Sequence, residues 1–181
     1  MPTFYLDIET TGLNPKKDKI ITIQYQELHR NTGKPIGELK ILKEWKSSEK
    51  SILETFLKDS RITDDYPFTF VPVGYNLGFE HNFLRERCAL HSLHPVDILN
   101  KPFLDLRVCG VIMNNGEFKG SGLNKLTKKA GDGSQVPLWY SKKDYVSIEA
   151  YIKNETEAFT EFSAWLYKEL PDCLKRFKEQ G

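Results

Sequence analysis

The chain has 181 residues, 39% of them hydrophobic, with 26 Lys and Arg set against 25 Asp and Glu for a formal net charge of +1. That length is enough for one ordinary domain with a good core, and the even charge balance gives no sign of a polyanion binder held by bulk charge. No repeat or low-complexity stretch is visible, no apolar run approaches a membrane span, and the first strand starts too early to leave room for a signal or transit peptide.

Cys88, Cys109 and Cys173 are odd in number and lack C-x-x-C spacing. They read as free thiols in a reducing compartment, so the expectation is a soluble, cytoplasmic protein with no disulfide frame or zinc site.

Residues 3–9 read as a buried strand. Ile20 to Leu28 alternate apolar and polar residues, and Ile36 to Trp45 do so again after a turn at Asn31-Thr32-Gly33. Three early strands on short loops suggest an antiparallel meander. Ile52, Leu53, Phe56 and Leu57 mark a short amphipathic helix, and residues 60–67 a loop. Phe68 to Val73 reads as a central strand, with Pro72 near its end or at a bulge. Phe79, Phe83, Leu84 and Cys88 then recur at helical spacing. Residues 91–102 are a loop, Phe103 to Arg107 a short strand, and Val108 to Met113 is open between strand and helix. Leu123 to Ala130 reads as a short basic helix and residues 131–140 as a loop. A long amphipathic helix runs from Tyr145 to Leu170, stopped by Pro171. The expected fold is α/β: a mixed sheet of about five strands flanked by helices, over residues 1–181 without an internal boundary.

The first strand ends in Asp7-Ile8-Glu9-Thr10-Thr11-Gly12-Leu13. Residues i and i+2 of a strand share a face, so Asp7 and Glu9 stand side by side. Two like charges that close need a cation between them, and a hard divalent metal suits oxygen ligands. A solvent face shared with Tyr5 is the alternative. A second acidic group lies at Gly74-Tyr75-Asn76-Leu77-Gly78-Phe79-Glu80-His81, a strand-to-helix junction where the Asn76 side chain can cap the helix and Glu80 suits the helix dipole. The third is Tyr151-Ile152-Lys153-Asn154-Glu155, where Tyr151 and Glu155 share a helix face at i, i+4.

Taken together, these three motifs resemble the DEDD superfamily of 3′→5′ exonucleases, the DnaQ-like branch of the ribonuclease H-like fold. The likeness runs from Asp7 to Glu155 and matches the tyrosine subtype, because Tyr151 stands four residues before the last acid. Glu80 and Glu155 stand where the family usually has Asp, which adds about 1.5 Å of reach at each position.

The resemblance implies a ribonuclease H-like sheet with three antiparallel strands followed by parallel ones. It implies that Asp7, Glu9, Glu80 and Glu155 hold two divalent ions, Mg²⁺ or Mn²⁺, with Asp7 bridging both and Glu80 acting on the second, and that Tyr151 orients the attacking water. It implies that Thr10, Leu13, Asn76 and Phe79 contact the substrate: the Thr10 backbone at the terminal sugar, Leu13 as a wedge against the terminal base, Phe79 near the last nucleotides and Asn76 at a phosphate. Phe83 reads instead as core. The partner is the 3′ end of single-stranded DNA or RNA, and Lys125, Lys128, Lys129, Lys142 and Lys143 could guide the strand. His81 reads as a surface or capping residue and Asp105 as a helix cap or supporting group. A non-catalytic nucleic-acid-binding module on the same fold is the rival. A homo-oligomer, or a proofreading role beside a separate polymerase, fits the sequence equally.

Overall fold

A computed structural model describes residues 2–127, 131 and 133–179. Its five-stranded sheet has the order β3-β2-β1-β4-β5, made by β1 (Thr3–Thr10), β2 (Ile20–Leu28), β3 (Pro35–Lys43), β4 (Val71–Gly74) and β5 (Leu104–Asp105). β1 pairs antiparallel with β2, and β2 with β3, whereas β1–β4 and β4–β5 are parallel. This is the mixed sheet, three antiparallel strands followed by parallel ones, that the resemblance implies.

Side-chain alternation along β1 divides the molecule into layers. Leu6 and Ile8 point into a core with α1 (Glu49–Ser60) and α2 (Gly78–Leu90), through Ile52, Phe56, Phe83 and Leu84. Tyr5 points the other way, against Phe159 of α6 (Tyr145–Glu179), with ring centroids 4.7 Å apart. Asp7 and Glu9 follow Tyr5 on that second face. On the same side, Ile21 packs with Val136, Ile148 and Ile152.

β4 covers Val71–Gly74, shorter than the expected Phe68 to Val73. Pro72 lies inside it without breaking the sheet. The Val71 N–H points toward the β1 side, to the Pro2 carbonyl, so the Pro72 nitrogen faces the opposite edge. There β5 pairs only with Val73 and Gly74, so no ladder hydrogen bond is lost.

Several elements depart from the sequence reading. β5 is two residues long, because the Asp105 carboxylate accepts the Arg107 N–H and turns the chain into α3 (Arg107–Met113). This settles Val108 to Met113 as helix. The basic helix is only α4 (Leu123–Leu126): Thr127 is extended, its hydroxyl bonded back to the Leu123 carbonyl. Lys128, Lys129 and Ala130, part of that expected helix, lie outside the described residues. The expected loop at 131–140 holds a 3₁₀ turn (Gly133–Gln135) and α5 (Val136–Ser141), where Pro137 suits the first helical turn and Val136 is buried. Pro171 does not stop α6, which continues to Glu179. A proline inside a helix forfeits one hydrogen bond, at a cost of about 3 kcal/mol. The 26 residues before Pro171, anchored by Ile148, Ile152, Phe159, Phe162 and Leu166, supply a template that outlasts that cost.

All three cysteines are free. Among the described residues, no helix is long and apolar enough to cross a membrane.

Candidate active site

β1 and α6 bring Asp7, Glu9 and Glu155 together, so that one carboxylate oxygen from each lies within 4.8 Å of the others. Glu9 is buried, and Asp7 and Glu155 are half-buried. The solvent-face alternative for the β1 pair is therefore excluded. A chamber of about 540 Å³ opens beside them, lined also by Thr10, Leu13, Phe79, Glu80 and Tyr151.

Glu80, 4% exposed, enters from the first turn of α2. It stands outside the close group of three. Its Oε2 is buried without a hydrogen-bond donor. Burial first, and then the Asp7 charge, push its carboxyl well above the ordinary carboxylate range. An acidic group so placed calls for positive charge, and the oxygen-only donor set suits a hard divalent cation.

Tyr151 is buried one helical turn before Glu155, as their i, i+4 spacing requires. Desolvation first, then Glu155 and Glu9, raise its phenol far above the usual value, so it stays protonated. The Trp139 ring lies against it, centroids 6.1 Å apart. A Cβ at Gly133 would come 3.4 Å from the Tyr151 hydroxyl and 3.8 Å from Glu9 Oε2, so the segment before α5 closes one wall of the chamber.

The turn after β1 is tightly tied. Thr11 N–H donates to the Lys19 carbonyl at 3.0 Å, Lys19 N–H to Thr11 Oγ1 at 3.0 Å, and Asn14 N–H to Asp18 Oδ2 at 2.8 Å. A Cβ at Gly12 would fall 2.5 Å from the Asp18 carboxylate and would push it from its hydrogen bond with the Asn14 N–H. The turn holds Leu13 at the chamber rim, 85% exposed, where core packing is no explanation for it. Thr10 is buried, its hydroxyl donating to the Gly12 carbonyl. Phe79 is partly buried and lines the chamber, whereas Phe83 behind it is core.

Two expectations are corrected. Asn76 does not cap α2 with its side chain: it adopts φ +76°, and Asp105 accepts the N–H groups of Asn76 at 2.8 Å and Leu77 at 2.9 Å instead. The cap comes from β5 because its carboxylate reaches two amides at once. His81 is buried, not a surface or capping residue; its Nδ1 faces Asp97 at 3.7 Å, away from the acids. Of the lysines that could guide a strand, Lys125, Lys142 and Lys143 are exposed, and Lys128 and Lys129 lie outside the described residues.

Sequence reasoning missed Gln24. It lies opposite Asp7 in the β1–β2 register and is fully buried. Its Nε2 donates to Asp7 Oδ2 at 2.6 Å, its Oε1 accepts from Thr22 Oγ1 at 3.0 Å, and the Tyr5 hydroxyl donates to the same Asp7 oxygen at 3.2 Å. Two donors thus fix the orientation of one carboxylate. The signal that could have found Gln24 is register: a short antiparallel connection puts the polar residues of β2 on the face of Asp7 and Glu9.

No curated protein matches the sequence. Among solved structures, similar ones include exonuclease I in complex with inhibitor BCBP, at 14% identity over 62% of this chain and 30% of that chain, TM-score 0.48. The metal-free E. coli ExoI–ssDNA complex gives 14%, 62%, 30% and 0.47. A moderately thermophilic exonuclease I from Methylocaldum szegediense gives 15%, 64%, 30% and 0.48. The matched region thus spans about 30% of those proteins' length. The profile of the RNase_H superfamily matches residues 4–165, which takes in every strand of the sheet, both acids of β1, Glu80 and Glu155. The coarser sequence reading, a ribonuclease H-like nuclease fold, stands on that match, and the chain belongs to the RNase_H superfamily.

Proposed function

We propose that this chain is a metal-dependent 3′→5′ exonuclease of the DEDD tyrosine subtype, one exonuclease-like domain over residues 1–181, that removes nucleotides from the 3′ end of single-stranded DNA or RNA. The observation that carries the reading is the convergence of Asp7, Glu9 and Glu155 within 4.8 Å beside a chamber that Glu80 and Tyr151 also line. Asp7, Glu9 and Glu155 would hold the ions, with Glu80 beside them as a further ligand through water. Two divalent ions, Mg²⁺ or Mn²⁺, supply an acidified water and charge neutralisation at a phosphodiester.

The chain's own groups do the rest. Gln24 and Tyr5 hold Asp7 in one orientation, which fixes where ligand oxygens point. Tyr151, kept protonated by its buried surroundings and engaged with Glu155, would help to orient the attacking water and would not act as a base. Leu13 and Phe79 present apolar surface to the terminal nucleoside, and such contacts accept any base. Thr10 takes the terminal sugar by its backbone, and Asn76 a phosphate. Because Glu80 and Glu155 are longer than the usual Asp, Mn²⁺, whose coordination is more forgiving, is the preferred ion.

The test is incubation of a 5′-labelled single strand, as matched DNA and RNA, with Mg²⁺ or Mn²⁺. A ladder shortening from the 3′ end, absent in Asp7→Ala, is expected. An intact strand with a retained gel shift would instead identify a binding module.

A further inference from the structure

A second chamber, of about 240 Å³, meets the first at Asp7 and Glu155 and is lined on its far side by Tyr75, Asn76, Arg107 and Asn124. The two differ in chemistry. Leu13 and Phe79 give the first an apolar wall opposite its acids, whereas two amides and a guanidinium on the far side of the second suit an anion. The acids lie between them. A strand cut at the acids, with its terminal nucleoside in the first chamber, continues into the second.

Arg107 carries the argument further. Its Nε is buried and has no hydrogen-bond partner among the described residues. No carboxylate forms an ion pair with it among those residues, although Asp105 is two positions away. Both Asp105 oxygens are taken by the N–H groups of Asn76, Leu77 and Arg107. The guanidinium lies over the Phe118 ring, 5.6 Å from its centroid. A buried donor without an acceptor is unfavourable, and a planar fork matches the oxygens of a phosphate.

We infer that Arg107, flanked by Asn76 and Asn124, forms a subsite for a non-scissile phosphate of the strand, the first on the 5′ side of the bond that is cut. This rests on the exonuclease reading and adds Arg107 and Asn124, which lie outside the three acidic motifs, to the phosphate contact given to Asn76.

The test moves a single neutral methylphosphonate, one linkage at a time, along a short single strand. Affinity is measured with Ca²⁺ and kcat/KM with Mg²⁺ or Mn²⁺, for wild type and Arg107→Met. Wild type loses about 10- to 100-fold when the linkage next to the scissile one is neutral, the size of a charge-assisted contact. Arg107→Met is weaker on the unmodified strand and indifferent to that one substitution, while remaining sensitive at other linkages. Each variant is compared with itself, so a folding defect, which weakens all linkages alike, does not imitate this pattern. The subsite is overturned if wild type shows no penalty there, or if Arg107→Met keeps the full penalty. A strand that wild type never shortens overturns the exonuclease reading, and the Ca²⁺ affinities still decide the subsite.

Discussion

Glu49 and Glu80 occupy the first turns of neighbouring helices on one side of the sheet, and both are buried, yet their surroundings are opposite. Glu49 receives Arg87 Nε at 2.8 Å on Oε1 and Arg87 Nη2 at 2.6 Å on Oε2, with the Ile20 N–H at 2.7 Å and His91 Nε2 at 2.9 Å. Burial pushes its carboxyl up, but these donors outweigh burial and hold it below its ordinary value. Glu80 faces Asp7 and has an oxygen without a donor, and its carboxyl is pushed well up. The favourable helix N-terminus is common to both and so decides nothing. The partners decide: one acid brings its counter-charge within the chain, and the other stands among acids that need it from solution.

The sharpest way to break that comparison is to remove one acid from each place. Asp7→Ala is expected to lower activity by roughly 10³-fold or more, since the ions supply several kcal/mol of transition-state stabilisation. Its thermal midpoint without metal is expected to change little, because relief of the like charge beside Glu80 offsets the acceptor lost to Gln24 and Tyr5. Glu49→Ala is expected to do the reverse. It leaves Arg87 buried without its partner, which costs about 3–5 kcal/mol. For a chain of this size, that lowers the midpoint by on the order of 10 °C, with kcat retained at lower temperature. Calorimetric melting beside a cleavage assay reads both, and a Glu49→Ala protein that melts like wild type would remove the structural half of the contrast.

The supporting donor on the acidic side gives the next effect. Gln24→Leu keeps the volume but removes the hydrogen bond to Asp7, and loss of such a support typically costs about 10- to 100-fold in metal affinity or activity. The expected signature is a higher Mg²⁺ requirement, partly overcome by raising Mg²⁺. An unchanged metal dependence would show that Tyr5 alone orients Asp7.

The pH dependence separates the two acids without a metal. The Glu49 pKa is lowered on folding, so its contribution to stability is fully present above its unfolded value, about 4.3. It is lost as pH falls through the folded value. The gap in melting midpoint between wild type and Glu49→Gln should therefore be constant above that unfolded value and narrow toward more acid pH. A gap that stays constant into strong acid would mean that Glu49 is held by packing and not by charge.

What could be read from the chain follows the range of the signal. Alternation placed β1 and β2, and helical spacing placed α1, α2 and most of α6, because each is a local period. The three acidic motifs stood out because carboxylates sit where apolar residues were expected. Gln24 and Arg107 were invisible: each is an ordinary polar residue until a distant partner gives it meaning, Asp7 across a strand pair for one and Phe118 and Asn76 for the other. α5 is hard to read locally because it is only six residues long and carries a proline, although a proline in a first helical turn is favourable. The run past Pro171 was missed because a local breaker was allowed to outweigh a long packed template.

Leu13→Ala gives the smallest expected effect and the cleanest separation of binding from folding. The residue is held out by a turn whose hydrogen bonds do not involve its side chain, and it is almost fully exposed. Truncation therefore leaves the melting midpoint unchanged. If its apolar surface is covered only by the terminal nucleoside, losing it removes about 1–2 kcal/mol of burial. That appears as a rise in KM of roughly five- to thirtyfold, smaller than the loss in Asp7→Ala. A rise in KM with kcat preserved marks Leu13 as a contact made equally in ground and transition state, whereas an equal fall in kcat and kcat/KM would mark it as a wedge that strains the terminal nucleotide toward reaction.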